Sequence, residues 1–504
     1  MKLPVSELLL TEISRTDFHA KLPQHRRLYE AIRGAILSHQ LPFGSQLPST
    51  RDLARELKLS RNTVLSAFEQ LLAEGYVNAQ TGSGTFIADT LPDQLAQSSA
   101  ENIPQQAADP SASNKLSRQL SSRGESMSAV AGGPLFEVQP FAPGDADYSA
   151  FPFKLWQRLQ NKYWRAGRPE LLDYGQTGGH LPLRQALADY LRVSRSVRVT
   201  VDQVLITAGT QQSLDLCSHL LADHQDIAWV EDPCYWGARR ALEANGLRLH
   251  PVPVDNEGMN PGREDLDKAP RLIYLTPSHQ YPKSVVMSLA RRRLLLELAA
   301  RNNAWILEDD YDSEFRYAGR PLASLQGMDH HDRVLYLGTF AKVLYPGLKI
   351  GYIVVPPDLV EAFKTALYDF QRPGQLMLQA ALADFIELGY FATHLRKMRL
   401  IYGRRRLLLQ KTLYGALGND IKLSPAEAGL HLVIQLPPDT DDVAMAATAA
   451  DHDISVRALS SYYLSDKREK GLVVGYAYVP PEKIVFYGRL LANVVKAGMG
   501  RVSN

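Results

Sequence analysis

Apolar residues in the first ninety positions recur at helical spacing in short blocks. Leu28, Ala31, Ile32, Ala35 and Ile36 fall three and four apart in LYEAIRGAILSH, which predicts a helix with one buried face, and the breaker-rich QLPFGSQLP ends it. Ser49 precedes a second, short helix, with Asp52 three residues on in a near-capping-box arrangement, and Lys58-Leu59 is its expected end. Ser60 caps a third helix, RNTVLSAFEQLLAEG, which stops at Gly75. Two β-prone runs follow in YVNAQTGSGTFIA, and the Thr81-Gly82-Ser83-Gly84 between them has the turn chemistry of a hairpin.

Residues 91–138 lose this pattern and become rich in Gln, Ser, Ala and Pro, so they read as a linker; as a flexible coil it would span roughly 35 to 40 Å. After Phe141 short apolar runs alternate with amphipathic helical stretches: QVLITAG, DIAWVEDP, RLIYLTP, AWILEDD and RVLYLGTF each precede or follow one. Alternation of this kind predicts a mostly parallel α/β sheet. From about Gly389 onward, long helices with the strands HLVIQL and GLVVGYAYV suggest a smaller α+β subdomain. No internal repeat is evident. The expected organisation is a small domain at 15–90, a linker at 91–138 and a large domain at 139–500.

Composition narrows the setting. A chain of 504 residues exceeds what one core usually organises, and 45% apolar with 22% charged residues is ordinary for a globular protein. The formal charge of +2 is too small to argue for nucleic acid, so any such reading must rest on local residues. Cys217 and Cys234 form no CxxC pair and lie near no zinc-like His cluster, which suits inert thiols in a reducing compartment and gives no metal site. MKLPVSELLLTE lacks a signal-peptide core and no apolar run approaches the roughly 18 residues of a membrane helix, so a cytoplasmic protein is expected.

Two short helices joined by a tight turn would aim Arg61, Asn62 and Thr63 at the major groove, where Arg61 has the fork to read guanine and Ser60 or Thr63 can hold phosphates. The alternative is that Arg51, Arg55 and Arg61 form an ordinary solvated face. The run GSQLPSTRDLARELKLSRNTVLSAFEQLLAEGYVNAQTGSGTFI resembles the GntR family of winged-helix regulators over nearly its whole length. That resemblance implies that Arg51, Arg61 and Thr63 contact operator DNA, with Gly82 and Gly84 in the wing.

The large domain carries a second constellation. Ala208-Gly209-Thr210-Gln211-Gln212 joins a strand to a helix, a phosphate cradle by its N–H groups. Tyr235 follows a strand end and can stack on a ring or simply pack. Glu308, Asp309, Asp310 and Asp312 cluster beside Tyr311 at another strand end, where they read as a partner for a protonated ring nitrogen, a surface turn or a hard-metal site. Leu337-Gly338-Thr339-Phe340-Ala341-Lys342 closes a strand with a lysine at the edge where open α/β sheets bind ligands. A cofactor aldehyde needs such a lysine, carboxylate, aromatic ring and phosphate site.

EDPCYWGARRAL, TPSHQYP, ILEDDYDSEFRY, LYLGTFAKVLYPGLKIGYIVVP and GLVVGYA, in that order, resemble fold type I aminotransferases, and with the head the whole chain resembles the MocR/GabR-type regulators. The implied fold is a winged helix-turn-helix plus a fold type I, pyridoxal-phosphate-dependent transferase-like domain with a smaller C-terminal subdomain. The resemblance implies that Lys342 forms a Schiff base with pyridoxal 5'-phosphate, Asp309 pairs with its ring nitrogen, Tyr311 meets its phenolate oxygen and Tyr235 stacks. Gly209, Thr210, Gln211 and Thr339 would line the phosphate and ring, and Tyr174 would reach the phosphate from a partner subunit.

Three departures bear on activity. Lys349 stands where the family usually has arginine, a point charge in place of a fork. Pro282-Lys283-Ser284 replaces proline-threonine-glycine, and Tyr281 stands before Pro282, which leaves the phenolate oxygen to Tyr311 and Gln280. GLVVGYA lacks the arginine that binds a substrate carboxylate in many aminotransferases, with Arg457 and Arg316 as substitutes. The expected function is a homodimeric, domain-exchange-capable transcription regulator that senses an amine, an amino acid or the cofactor, with scope for contact with RNA polymerase. The alternatives are an active aminotransferase with an accessory DNA-binding head, or a large domain kept only for dimerisation.

Overall fold

The computed structural model describes residues 5, 9, 22–80, 83–88, 120–121, 124–125, 139–175, 177–317, 322–371, 374–418, 421–425 and 427–500. Gly82 of the expected wing, and all of the 91–138 linker except residues 120, 121, 124 and 125, lie outside the described residues. Two compact units separate at Arg118 and Gln119, and each is described by itself.

The first unit contains α1 (Gln24–Leu37), β1 (Gln46–Leu47), α2 (Thr50–Glu56), α3 (Arg61–Ala73), β2 (Val77–Gln80) and β3 (Gly84–Ile87). Leu28, Ile32 and Ile36 of α1 meet Leu53 of α2 and Val64 and Leu71 of α3 in a fully buried core, the face that the apolar spacing predicts. Ser49 Oγ accepts the Asp52 N–H and Ser60 Oγ accepts the Thr63 N–H, so both expected caps form. Helix α1 starts four residues before the apolar run because its first turn, Gln24 to Arg27, is polar and outside the pattern. Helix α2 ends at Glu56, where the backbone reverses through Lys58 at φ 53° and the Leu59 N–H returns to the Ala54 carbonyl. The three strands pair antiparallel in the order β1-β3-β2, and β2-β3 is the hairpin read from the turn residues.

The second unit is built on an eight-stranded sheet of β4 (Val204–Thr207), β5 (Ile227–Asp232), β6 (Arg248–Asp255), β7 (Gly258–Met259), β8 (Leu272–Leu275), β9 (Trp305–Asp310), β10 (Val334–Thr339) and β11 (Gly351–Val354). Their order is β4-β11-β10-β9-β8-β5-β6-β7, with β10, β9, β8, β5 and β6 mutually parallel. Helices on both faces explain why β8 and β9 are buried along their whole length and read as unbroken apolar runs. The sheet is mixed: β11 inserts antiparallel between β4 and β10, and β7 returns antiparallel on β6. Helices α4 (Thr210–Leu221) and α5 (Trp236–Ala244) follow β4 and β5.

A smaller antiparallel sheet of β12 (Lys422–Leu423), β13 (His431–Leu436), β14 (Arg457–Ala458) and β15 (Lys470–Gly475), in the order β12-β13-β15-β14, shares a hydrophobic core with α6 (Tyr390–Leu417) and α7 (Pro481–Gly500). Among the described residues no helix is long and apolar enough to cross a membrane.

Candidate functional site

At the carboxyl ends of β4, β5, β9 and β10 the second unit encloses a cavity of about 330 Å³. Gly209, Thr210, Gln211, Tyr235, Asp309, Tyr311, Thr339, Lys342 and Lys349 all line it. Residues spread over more than 140 positions converge because each ends or follows a strand of one sheet. Gly209 is the N-cap of α4 at φ 114°, a conformation open to glycine, and a Cβ there would meet nothing within 4 Å. The helix N-terminus therefore faces the cavity with its N–H groups unobstructed.

The acidic cluster sorts by its partners. Glu308 accepts the Leu325 and Gln326 N–H groups at 2.8 Å each. Asp310 Oδ2 meets Arg195 Nε at 2.8 Å and also accepts from Ser313 and Tyr336. Asp312 Oδ2 lies 3.0 Å from His279 Nδ1. Asp309 alone of the four lines the cavity: its Oδ2 accepts from Tyr274 at 2.8 Å, and its buried Oδ1 has no protein partner. Asp310 Oδ1 also lacks a partner, but Asp310 is not among the residues that line the cavity. Burial pushes the Asp309 carboxyl up to about 7, against the Tyr274 bond that lowers it.

Asp310 pairs with Arg195, which is buried like its partner and also donates to Ser278 and the Leu322 carbonyl. Replacing Arg195 with Met should cost about 3–5 kcal/mol in urea unfolding, because Asp310 is then buried without its cation; a loss under about 1 kcal/mol would show the pair to be idle.

Lys342 follows β10, and its Nζ donates to the Gly144 carbonyl at 2.8 Å. Burial pushes its pKa down, while Asp145, Asp312 and Asp309 work the other way. Tyr311 places its hydroxyl 3.0 Å from His279 Nδ1 and donates to the His279 carbonyl at 3.1 Å; burial holds the phenol well above its ordinary pKa, so it is a neutral donor. Tyr235 and Tyr311 each meet the Tyr281 ring edge-on, at 5.7 and 5.9 Å. Lys349 sits exposed at φ 50° after a short turn at Pro346–Leu348.

Two expectations are corrected, those for Gln280 and Arg316. Gln280 is spent on the Glu231 carboxylate and the Pro233 and Tyr281 carbonyls, and it does not line the cavity; Tyr281 does. Arg316 pairs with Glu427 at 3.5 Å, whereas Arg457 lines the cavity. Tyr174 is 52% exposed and absent from its own chain's cavity. Tyr274, Gly144 and Asp145 line the cavity without having been singled out: Tyr274 hides in the apolar run LIYL, and FAPGDAD reads as a loop.

On the first unit Arg51, Arg61 and Asn62 are exposed, and among the described residues neither arginine has an ion-pair partner; Arg55 is bound to Asp52 at 2.8 Å. Thr63 and Ser60 hydroxyls bond to each other at 2.8 Å at the start of α3. Gly84 opens β3 beside Ser83, whose carbonyl accepts from the Gln46 side chain.

Residues 24–87 match the gntR family of bacterial regulatory proteins and residues 144–484 match the class I and II aminotransferases. The chain is 40% identical over 470 residues to the probable rhizopine catabolism regulatory protein MocR of Rhizobium meliloti, covering 92% of each chain. It is 31% identical to the pyridoxine biosynthesis transcriptional regulator PdxR of Corynebacterium glutamicum, covering 89% of this chain and 91% of that one. Among solved structures, a multiple substrate aminotransferase from Thermococcus profundus superposes with a TM-score of 0.69 at 28% identity, over 76% of this chain and 98% of that one.

Proposed function

This chain belongs to the MocR-like transcription regulators, a gntR-type head with a class I and II aminotransferase domain, and from that premise we propose that an amine arriving at Lys342 controls operator binding. The family is DNA-binding and its large domain takes pyridoxal phosphate. The observation that carries the reading is the Asp309 Oδ1, a buried acceptor turned to the cavity with no protein donor. A ring N–H would satisfy it, and the open α4 N-terminus with Thr210 and Lys349 fits a phosphate.

Pyridoxal phosphate, when bound, supplies an aldehyde that condenses reversibly with primary amines. Asp309 would hold the proton on the ring nitrogen, Tyr311 would donate to the phenolate oxygen, and Tyr235 would cover the ring face. Thr210, Gln211 and Thr339 would fix the phosphate end, and Tyr174 would serve the cavity of a partner subunit in a homodimer. Lys342, its charge disfavoured by burial, supplies the resident amine. An effector ammonium that took the place of Lys342 would give up its proton, and the freed Lys342 amine that takes it up would lie against the Gly144 carbonyl and near Asp145.

Gly144 lies in a segment already tied to the small subdomain. The Ser455 N–H bonds to the Pro140 carbonyl, the Gly475 N–H to the Phe141 carbonyl, both at 2.9 Å, and Arg405 of α6 meets Asp147 at 2.7 Å. The same segment follows the linker in sequence. A change at Lys342 thus acts on backbone leading to the head, which is how one site biases another.

Borohydride reduction of the purified protein, followed by peptide mass spectrometry, tests the cofactor reading: a pyridoxyl group on the Lys342 peptide is expected, and an unmodified Lys342 in pigmented protein would overturn it. Arg61→Ala should weaken specific over non-specific DNA binding by about 1–3 kcal/mol. An unchanged footprint would remove Arg61 from the base-reading set.

A further inference from the structure

Beside the cavity but not lining it, three buried side chains from segments remote in sequence come together: His279 after β8, Asp312 after β9, and His431, which opens β13 of the small sheet. Each is at most 2% exposed, and a nitrogen of each imidazole and an oxygen of Asp312 lie within 4.8 Å of one another. His279 Nδ1 is 3.0 Å from Asp312 Oδ2, so its proton belongs to that bond, and the buried Nε2 is a lone pair with no hydrogen-bond partner. His431 donates from Nε2 to the Pro282 carbonyl at 3.0 Å, which makes its buried Nδ1 a second lone pair without a partner. A Cβ at Gly429, where φ is 83°, would collide with the His279 ring, so the turn before His431 makes room for that imidazole.

Two imidazoles that both present lone pairs cannot bond to each other, and their ring centroids are only 5.0 Å apart. A bridging water satisfies both nitrogens but adds no charge. Charge is what the cluster lacks: Asp312 is a buried carboxylate, and among the described residues its one basic partner at ion-pair distance is His279. A divalent cation meets all three demands at once. Two imidazole nitrogens with a carboxylate suit zinc, and the bonds from His279 Nδ1 to Asp312 and from His431 Nε2 to the Pro282 carbonyl are of the kind that orient ligating imidazoles. Zinc bonds of about 2.0–2.2 Å bring tetrahedral ligand atoms to roughly 3.4 Å apart, so the side chains would close slightly on the ion.

We propose that His279, His431 and Asp312 form a zinc site that clasps the small subdomain to the loops following β8 and β9. The expectation of no metal site rested on the two cysteines and their neighbours, and this cluster contains neither. The clasp is independent of Lys342 and of any amine, although it adjoins the cofactor residues: the Tyr311 hydroxyl lies 3.0 Å from His279 Nδ1.

The test uses full-length protein purified without a histidine tag, incubated with zinc chloride and dialysed against metal-free buffer, with bound metal read by plasma mass spectrometry. About one zinc per chain is expected, with an X-ray absorption edge fitted by nitrogen and oxygen ligands and no sulfur. His431→Gln and Asp312→Asn should each lower zinc affinity at least about ten-fold. Stripping the ion from wild type with a chelator should lower the melting temperature, and added zinc should restore it, a reading that stands even if neither variant folds. Wild type that retains no zinc overturns the proposal and leaves a water or a proton between the rings. Equal retention by wild type and both variants also overturns it, by placing the metal elsewhere, and zinc removal with no change in melting temperature removes the clasp.

Discussion

Lys342→Ala should abolish covalent attachment of the cofactor and the response of operator binding to amines, while basal operator binding persists. The other lysine lining the cavity, Lys349, is exposed in a left-handed turn. Lys342 is instead half-buried, its Nζ donates to the Gly144 carbonyl, and burial pushes its pKa down, which favours the neutral, nucleophilic amine. The head's core closes on its own residues, from Leu28 to Ile87, and Arg51 and Arg61 belong to that unit. Absorbance, borohydride trapping and DNA binding measured on one preparation separate these effects. A pyridoxyl group found on Lys349 or elsewhere in the variant would show that the cavity does not choose its lysine as described.

Asp309→Asn is expected to weaken cofactor binding by about 1.5–3 kcal/mol, roughly ten- to 150-fold, because a charge-assisted acceptor becomes a neutral one. The same substitution should change how stability depends on pH. In the cofactor-free chain burial holds Asp309 up to about 7, whereas an exposed carboxyl titrates near pH 3.9. Between about pH 4 and 7 the folded chain therefore keeps a proton that the unfolded chain has lost. Stability from this group falls as pH rises through that window, by at most about 1.4 kcal/mol per unit. Glu231 and Glu314, also pushed up to about 7 by burial, act with the same sign, so Asn at 309 should flatten the slope without abolishing it. Urea unfolding of cofactor-free protein at pH 5 and 7.5 reads this. An unaltered slope in the variant would mean that Asp309 is ionised throughout.

The head was the most legible part of the chain. Its signals are local: Ser49 and Ser60 cap helices three residues away, and the hairpin turn lies within one run of sequence. The second unit yielded its strands for the same reason, since β8 and β9 are covered on both faces and write continuous apolar runs. Strand β11 was legible as an apolar run, but its antiparallel insertion between β4 and β10 is set by long-range pairing that no local pattern encodes.

Within the site, residues at strand ends with chemically loaded neighbours, such as Asp309, Tyr311 and Lys342, could be named in advance. What the sequence did not disclose is who satisfies whom. Four acids within five residues look alike until Arg195, His279 and two backbone N–H groups, all remote in sequence, claim three of them. Tyr274 is indistinguishable from its apolar neighbours until its hydroxyl meets Asp309, 35 residues away. Asp145 lies almost 200 positions from Lys342 and in no helix or strand, so nothing in its surroundings marked it.

The most direct measurement is the affinity of the cofactor-loaded protein for a DNA fragment it has itself selected from a random pool, by fluorescence anisotropy with and without a saturating amine that shifts the cofactor spectrum. The expected result is a change of about five-fold or more in wild type and none in Lys342→Ala. Identical affinities in wild type, despite a complete spectral shift, would contradict control of operator binding through Lys342.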